Sequence, residues 1–444
     1  MIAFPKDFEN YVREDSFLGE PLLEGLNSES PTSIRINPSK VQPTFEESTP
    51  ISWCDNAFFL AQRPSYTKLP LFHAGCIYPQ EAGSMVLDHI LRTIDLDKNS
   101  TVLDLCAAPG GKSTLITSYL DKQGLLVSNE IISSRSKILR ENIIKWGYNN
   151  NVVTNNAPAD FERLPNFFDA IVIDAPCSGE GMFRKDPAAR DEWSLANVDM
   201  CAARQQDIVA DIWDSLKQNG YIIYSTCTFN SKENENNIKW ILEQYDARLI
   251  EIPVPEGFHA GRENIGFYGL PGRSQTEGFY IAVIQKLEAS RGKAKLAKKQ
   301  TLIPYKEEKE LAKIIDTTGW SFFQFNERIL GAPTPLVDQM ILLQNNMHIV
   351  LWGTTIGEIA RKGIVVDHHL AMSHTLTNHL PKVEVDEHTA LHYLKGETPK
   401  LPADTPIGTV AITYQGQSLG WIKNMGNRYN NLFPKEYRIR MALD

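Results

Sequence analysis

Thr101-Val102-Leu103-Asp104-Leu105-Cys106-Ala107-Ala108-Pro109-Gly110-Gly111-Lys112 is the stretch whose reading decides the fold. Its first six residues form a short β-like run, and the Pro109-Gly110-Gly111 turn leads into a helix-like segment from Lys112 to about residue 120. Further strands are expected over 124–129, near 151–154, and over 169–174, where a continuous apolar centre marks a strand buried on both faces. Helices are expected over 133–146, closed by Gly147, over 199–218, ending at Gly220, and over 232–244. Strands at 221–225, 248–250 and 279–285 complete the alternation. From about Cys76 to Lys286 this is the pattern of an α/β domain with a mainly parallel sheet.

The chain of 444 residues is too long for one ordinary core, and about three domains are expected on length alone. Hydrophobic residues at 42% and charged residues at 22% exclude wholesale disorder and low-complexity classes. A net charge of −9 argues against a surface built throughout to coat nucleic acid. No apolar run reaches the length of a membrane span, and the start lacks a signal-peptide pattern, so a cytoplasmic location and no membrane partner are expected. The six cysteines form no Cys-x-x-Cys pair, so neither a disulfide framework nor a metal site is expected. Residues 1–75 read as a small N-terminal α/β module with one strand at 33–37. Residues 76–287 form the core, and 288–303 a basic linker. The stretch from Lys286 to Gln300 holds six basic residues and one acidic residue, a composition suited to a solvated connection. Residues 304–444 form a separate C-terminal region with late strands at 408–414 and 418–422.

In an open α/β sheet, ligands bind where strands give way to helices at their carboxyl ends. The loop Cys106 to Lys112 occupies such a place, with small residues and two glycines that let backbone approach a ligand. A phosphate-cradling loop would need glycine where Cys106 stands, and the Gly-x-Gly-x-x-Gly of dinucleotide sites is absent. A nucleoside-type cofactor such as S-adenosyl-L-methionine fits best, with Glu130 gripping the ribose hydroxyls from the end of the second strand. An ordinary strand-to-helix turn is the alternative for the loop alone.

Two more strand ends carry chemistry: Asp174-Ala175-Pro176-Cys177-Ser178-Gly179 and Ser225-Thr226-Cys227-Thr228. One lone cysteine on such a sheet is more often core filler. Two at strand ends facing one cleft, one of them near an aspartate, suit pyrimidine chemistry. A thiolate added at carbon 6 of cytosine turns carbon 5 into a nucleophile, and a carboxyl group at the ring edge offsets the developing charge. A second thiol or a water then assists loss of the carbon 5 proton.

These three motifs resemble the signatures of the Sun/RsmF-type RNA (cytosine-5)-methyltransferases. The resemblance extends through Tyr78-Pro79-Gln80-Glu81-Ala82, Gly181-Met182-Phe183-Arg184-Lys185-Asp186-Pro187 and Glu277-Gly278-Phe279-Tyr280. It implies a Rossmann-like class I methyltransferase core in which Cys227 attacks the base, Cys177 assists product release and Asp174 contacts both cytosine and cofactor. Cys106, Ala107, Ala108, Pro109, Gly110, Gly111, Lys112 and Glu130 would bind S-adenosylmethionine. One departure is visible: where the family pattern has an acid near the adenine, this chain has Ala157, beside Asn155 and Asn156. An asparagine amide is the expected substitute.

The flanks Gly357, Arg361-Lys362-Gly363, Gly420-Trp421-Ile422-Lys423 and Asn431-Leu432-Phe433-Pro434-Lys435 look like the RsmF branch, which ends in a PUA-like RNA-binding domain. The plainer reading is a β-rich domain with a solvated basic face. Five basic residues and the single acid Glu436 over 405–441, beside Trp421, Tyr429, Phe433 and Tyr437, suggest phosphate contacts and base stacking. The N-terminal module is expected to bind RNA too. The whole points to a monomer methylating small-subunit (16S) ribosomal RNA. Transfer RNA as substrate, or a catalytically silent assembly factor, are the alternatives.

Overall fold

The computed structural model describes residues 3–186, 188–290, 292–295, 302–361, 363–374 and 380–443. Seven strands build the sheet that carries the site: β1 Thr101–Asp104, β2 Leu125–Asn129, β3 Asn151–Thr154, β4 Phe168–Asp174, β5 Leu216–Thr226, β6 Phe279–Lys286 and β7 Ile349–Trp352. They lie in the order β6-β5-β4-β1-β2-β3-β7, with two short strands, His259–Ala260 and Phe267–Gly269, beyond β6 and a third, Ala247–Leu249, paired antiparallel to the end of β6. The inner pairings β1–β2, β1–β4, β2–β3 and β4–β5 are parallel. β6 and β7 are antiparallel to their neighbours. Every residue of β1, β2 and β3 is buried, as expected where helices cover both faces of a parallel sheet. This is the expected Rossmann-like sheet.

Helices α1 Gly111–Leu120, α2 Ser133–Trp146, α3 Leu195–Ile212 and α4 Glu235–Gln244 cover its faces. Gly147 ends α2 at φ 93°, and its N–H returns to the carbonyl of Ile143. Ser194 starts α3, its hydroxyl accepting the Asn197 N–H at 3.1 Å. The helix expected over 199–218 is corrected at both ends. It begins at Leu195 and stops at Ile212, a single tight turn spans Trp213–Ser215, and residues 216–219 already belong to β5. Trp213 stacks on Tyr245 with ring centres 4.1 Å apart, anchoring the reversal in the core.

Three boundaries differ from the expected ones. Ile77–Pro79 pairs with Thr32–Ile36, so the N-terminal sheet runs past residue 75. Its two helices, Lys6–Glu14 and Glu20–Leu26, pack Phe8, Val12 and Leu22 into one apolar cluster with Phe183 and Trp193 of the core. Lys286 is no part of a solvated linker: it ends β6 buried, donating to the Trp213 carbonyl and to Ser290 Oγ, each at 2.8 Å. Residues 291 and 296–301 of the expected linker lie outside the described residues. The C-terminal region does not stand apart either, because β7 covers the exposed edge of β3. An uncovered edge would leave a row of unpaired backbone groups.

The C-terminal region adds two sheets. One contains Trp320–Phe325, Arg328–Pro333, Thr354–Ala360 and Gly363–Val366, and the other Lys382–Glu384, Gly408–Tyr414, Gln417–Asn424 and Tyr429–Asn431. The expected stacking platform is corrected here. Trp421 is buried with its indole N–H on the Asp367 carbonyl at 2.8 Å, and Phe433 is buried against Tyr393. Both fill cores and offer no face to a base. Lys423, Arg428, Lys435 and Arg440 remain exposed. Pro187 and Lys362 of the resemblance stretches lie outside the described residues. Among the described residues no helix is long and apolar enough to cross a membrane.

One ammonium ties the three parts together. Lys40 Nζ donates to the carbonyls of Ala74, Lys145 and Met372 at 2.7, 2.8 and 3.1 Å, each near a helix C-terminus, where cations are favoured. Burial pulls its pKa down to about 8. Lys40→Met leaves three buried carbonyls without a donor and is expected to cost on the order of 3 kcal/mol, read as a lower melting temperature. An unchanged melting temperature would contradict this account.

Candidate active site

The carboxyl ends of β1, β2, β4 and β5 open onto one cleft of about 590 Å³. It brings together Cys106, Ala108, Glu130, Asp174, Cys177 and Cys227. Ala107, Pro109, Gly110 and Gly111 do not line it: they shape the turn behind Cys106 and Ala108, with Gly110 at φ 114° and a Cβ at Gly111 falling 3.2 Å from Gln80. Lys112 turns from the loop to place Nζ 2.9 Å from Asp174 Oδ2. Burial pulls the Lys112 ammonium down, but the Asp174 charge and the hydrogen bond outweigh it, so its pKa stands above the ordinary lysine value.

Glu130 is buried at the end of β2, with Oε1 accepting the Ile132 N–H at 2.9 Å and Arg135 3.6 Å from Oε2. Ile131 and Ile132 line the same cleft while leaving 51% and 48% of their surface exposed. A carboxylate for ribose hydroxyls next to an uncovered apolar wall for a flat ring fits S-adenosylmethionine. The asparagines fit less well than expected. Asn155 Nδ2 donates to the Glu130 and Ile131 carbonyls, and Asn156 Oδ1 accepts the N–H of His348, which immediately precedes β7. Pro158 lines the cleft in their stead.

The two sulfurs of Cys177 and Cys227 lie 3.0 Å apart as free thiols, and Cys227 N–H donates to Cys177 Sγ at 3.3 Å. The adjacent Cys227 sulfur, followed by burial, raises the Cys177 pKa well above the usual thiol value. Burial likewise pushes Cys106 up to about 12, which leaves it a neutral wall. Asp174 Oδ1 accepts from Ser225 Oγ at 2.9 Å, so both of its oxygens are held.

Sequence reasoning missed the layer beneath the cysteines. Glu180 Oε2 accepts the N–H groups of Phe229 and Asn230 at 2.7 and 3.1 Å, and Oε1 accepts from Trp193 Nε1 and Asn230 Nδ2, both at 3.1 Å. Glu233 accepts from Ser178 N–H at 3.0 Å, Gln205 Nε2 at 2.7 Å and Asn230 Nδ2 at 2.8 Å. Burial raises the pKa of both carboxyl groups, with the surrounding donors opposing it. These bonds lock the loop after β4 to the loop after β5. Also missed were Arg204, Asp207 and Asp211, which line the cleft from one face of α3. Their spacing of three and four was the available signal.

The chain is similar along most of its length to known proteins. Residues 91–285 match the family described as 16S rRNA methyltransferase RsmB/F. Residues 4–82 match the N-terminal domain of 16S rRNA methyltransferase RsmF, and 380–439 the methyltransferase RsmF PUA domain. Ribosomal RNA small subunit methyltransferase F of Shewanella loihica is 30% identical over an alignment covering 98% of this chain and 93% of the relative. The protein of the same description from Enterobacter sp. strain 638 is 30% identical, covering 98% and 96%. A methyltransferase homolog protein from Pyrococcus horikoshii superposes with a TM-score of 0.56 at 26% identity, covering 64% of this chain and 96% of that one.

Because Glu180 accepts four donors, Glu180→Gln turns an amide N–H₂ against at least one of them. The expected loss is about 3 kcal/mol of stability with near-unchanged side-chain volume, measured by thermal or urea unfolding. A fully stable variant would mean that the four bonds are not the constraint described.

Proposed function

The chain belongs to the 16S rRNA methyltransferase RsmB/F family, and from that premise we propose that it methylates carbon 5 of a cytosine in 16S ribosomal RNA through a covalent cysteine adduct. The observation that carries the reading is the pair of free thiols 3.0 Å apart beside a carboxylate held by Lys112. When bound, S-adenosylmethionine supplies the electrophilic methyl group. Cys106, Ala108 and Glu130 would hold it, with Ile131 and Ile132 against its adenine.

The chain's own groups account for the remaining steps. Cys227 is the nucleophile that adds through sulfur to carbon 6 of the base, and the raised pKa keeps Cys177 protonated beside it. Asp174, oriented by Lys112 and Ser225, would accept from the exocyclic amine at the edge of the cytosine, with the Lys112 ammonium beside it offsetting the charge that develops on addition. After methylation a water in the cleft takes the carbon 5 proton, the bond from carbon 6 to Cys227 sulfur breaks, and Cys177 returns a proton to the departing sulfur. The target base must leave its stack to reach Cys227 at the strand ends. The N-terminal module and the exposed basic residues Lys423, Arg428, Lys435 and Arg440 would grip the surrounding RNA, and a cytoplasmic location is part of this reading.

Cys227→Ala is expected to lower transfer of radiolabelled methyl to 16S RNA by at least about a thousandfold. Cys177→Ala is expected to accumulate a protein–RNA adduct that survives a denaturing gel. Cytosine methylation by the Cys227→Ala protein would refute the mechanism. Bisulfite sequencing of RNA from a deletion strain gives the address, and absence of any lost 16S mark would refute the substrate.

A further inference from the structure

Arg35 sits on the N-terminal strand Thr32–Ile36, yet its guanidinium leaves that sheet for the cofactor loop. Nε donates to Gln80 Oε1 at 3.1 Å, one terminal nitrogen to the Gly111 carbonyl at 3.1 Å and to Thr114 Oγ1, and the other to the Thr114 carbonyl at 3.4 Å. Its plane lies over the Trp146 ring, 4.6 Å from the centre. Only 2% of Arg35 is exposed, and among the described residues no carboxylate forms an ion pair with it. A buried cation without a counter-ion is costly, so packing alone does not account for it. What a guanidinium does here, and an apolar side chain cannot, is hold several backbone and side-chain acceptors at fixed angles.

Those acceptors bracket Lys112. Gly111 and Thr114 form the first turn of α1, directly after Gly110, whose φ of 114° makes the turn a glycine pivot. Gln80 presses on the same turn and donates to Ser84 Oγ at 3.2 Å, which orients its carbonyl toward Arg35. The Tyr78–Ala82 stretch, quoted above without a role, thereby acquires one.

We infer that Arg35, oriented by Gln80, is a positioning residue for the S-adenosylmethionine loop, so that the N-terminal module completes the cofactor site as well as any RNA grip. The inference rests on the cofactor reading above. Arg35 touches neither cofactor nor base: it acts by fixing the Gly110–Gly111 pivot and with it the reach of Lys112 to Asp174.

The test uses the full chain, with S-adenosylhomocysteine binding by calorimetry, KM for S-adenosylmethionine, kcat and melting temperature. Arg35→Gln is expected to raise Kd and KM tenfold or more, with a smaller fall in kcat at saturating cofactor. Arg35→Lys, which keeps the charge and loses the fork, should fall between. Lys40→Met serves as the comparison: it loosens the same module without touching the loop, and should lower the melting temperature with Kd within twofold. An unchanged Kd in Arg35→Gln, or an equal rise in Lys40→Met, overturns the inference. If Arg35→Gln does not fold, Gln80→Met decides: a threefold or larger rise in Kd supports the inference and an unchanged Kd overturns it. A parent protein that binds no S-adenosylhomocysteine overturns the cofactor reading and this inference with it, whereas normal parent binding with an unaffected Arg35→Gln overturns the inference alone.

Discussion

The parallel register between β4 and β5 is the constraint on which the site depends. It sets Ile173 opposite Tyr224 and Asp174 opposite Ser225. From that pairing Ser225 reaches Asp174, and the chain needs only three further residues on one strand and two on the other to bring Cys177 and Cys227 into contact. A slip of one residue would turn each side chain to the other face of the sheet and part the two thiols. Glu180, Asn230 and Glu233 hold the loops beyond the register, where no ladder hydrogen bond can do so.

Buried polar groups recur at the junctions. Lys40 and Arg35 donate to carbonyls of neighbouring parts, and Arg184 joins Glu277 of the core to the Gly25 carbonyl of the N-terminal helices. Such groups add little net stability, because desolvation offsets most of the attraction. Their effect is geometric: an apolar junction tolerates sliding, while donors matched to particular carbonyls do not. The cleft at the strand ends is therefore framed by both flanking regions, with His348 and β7 beside β3 and Arg35 beneath the loop after β1.

Much of the core was legible because short strand-like and helix-like segments alternate, because β4 carries a continuous apolar centre, and because Gly147 ends its helix by a local rule. The strand-end motifs were legible for a similar reason, since the residues they need lie within a few positions of one another. β7 was not legible. Ile349 to Trp352 is four apolar residues, equally suited to a helix or a core segment, and only the vacant edge of β3 makes it a strand. Trp421 and Phe433 misled for the converse reason: an aromatic near basic residues reads the same whether its ring faces water or a core.

The sequence by itself determined the alternating α/β core and set the Cys106–Lys112 loop, Glu130 and the two cysteines at strand ends, because local periodicity and short-range spacing encode them. Only the tertiary structure decided that Lys112 meets Asp174, that Glu180 and Glu233 brace the loops carrying the thiols, that Lys40 joins three regions, and that Arg35 and His348 reach the elements around the cleft. Each of these contacts joins residues whose partners are set by packing across the sheet or between regions, and a buried charge or amide has no preferred partner until the chain has closed around it.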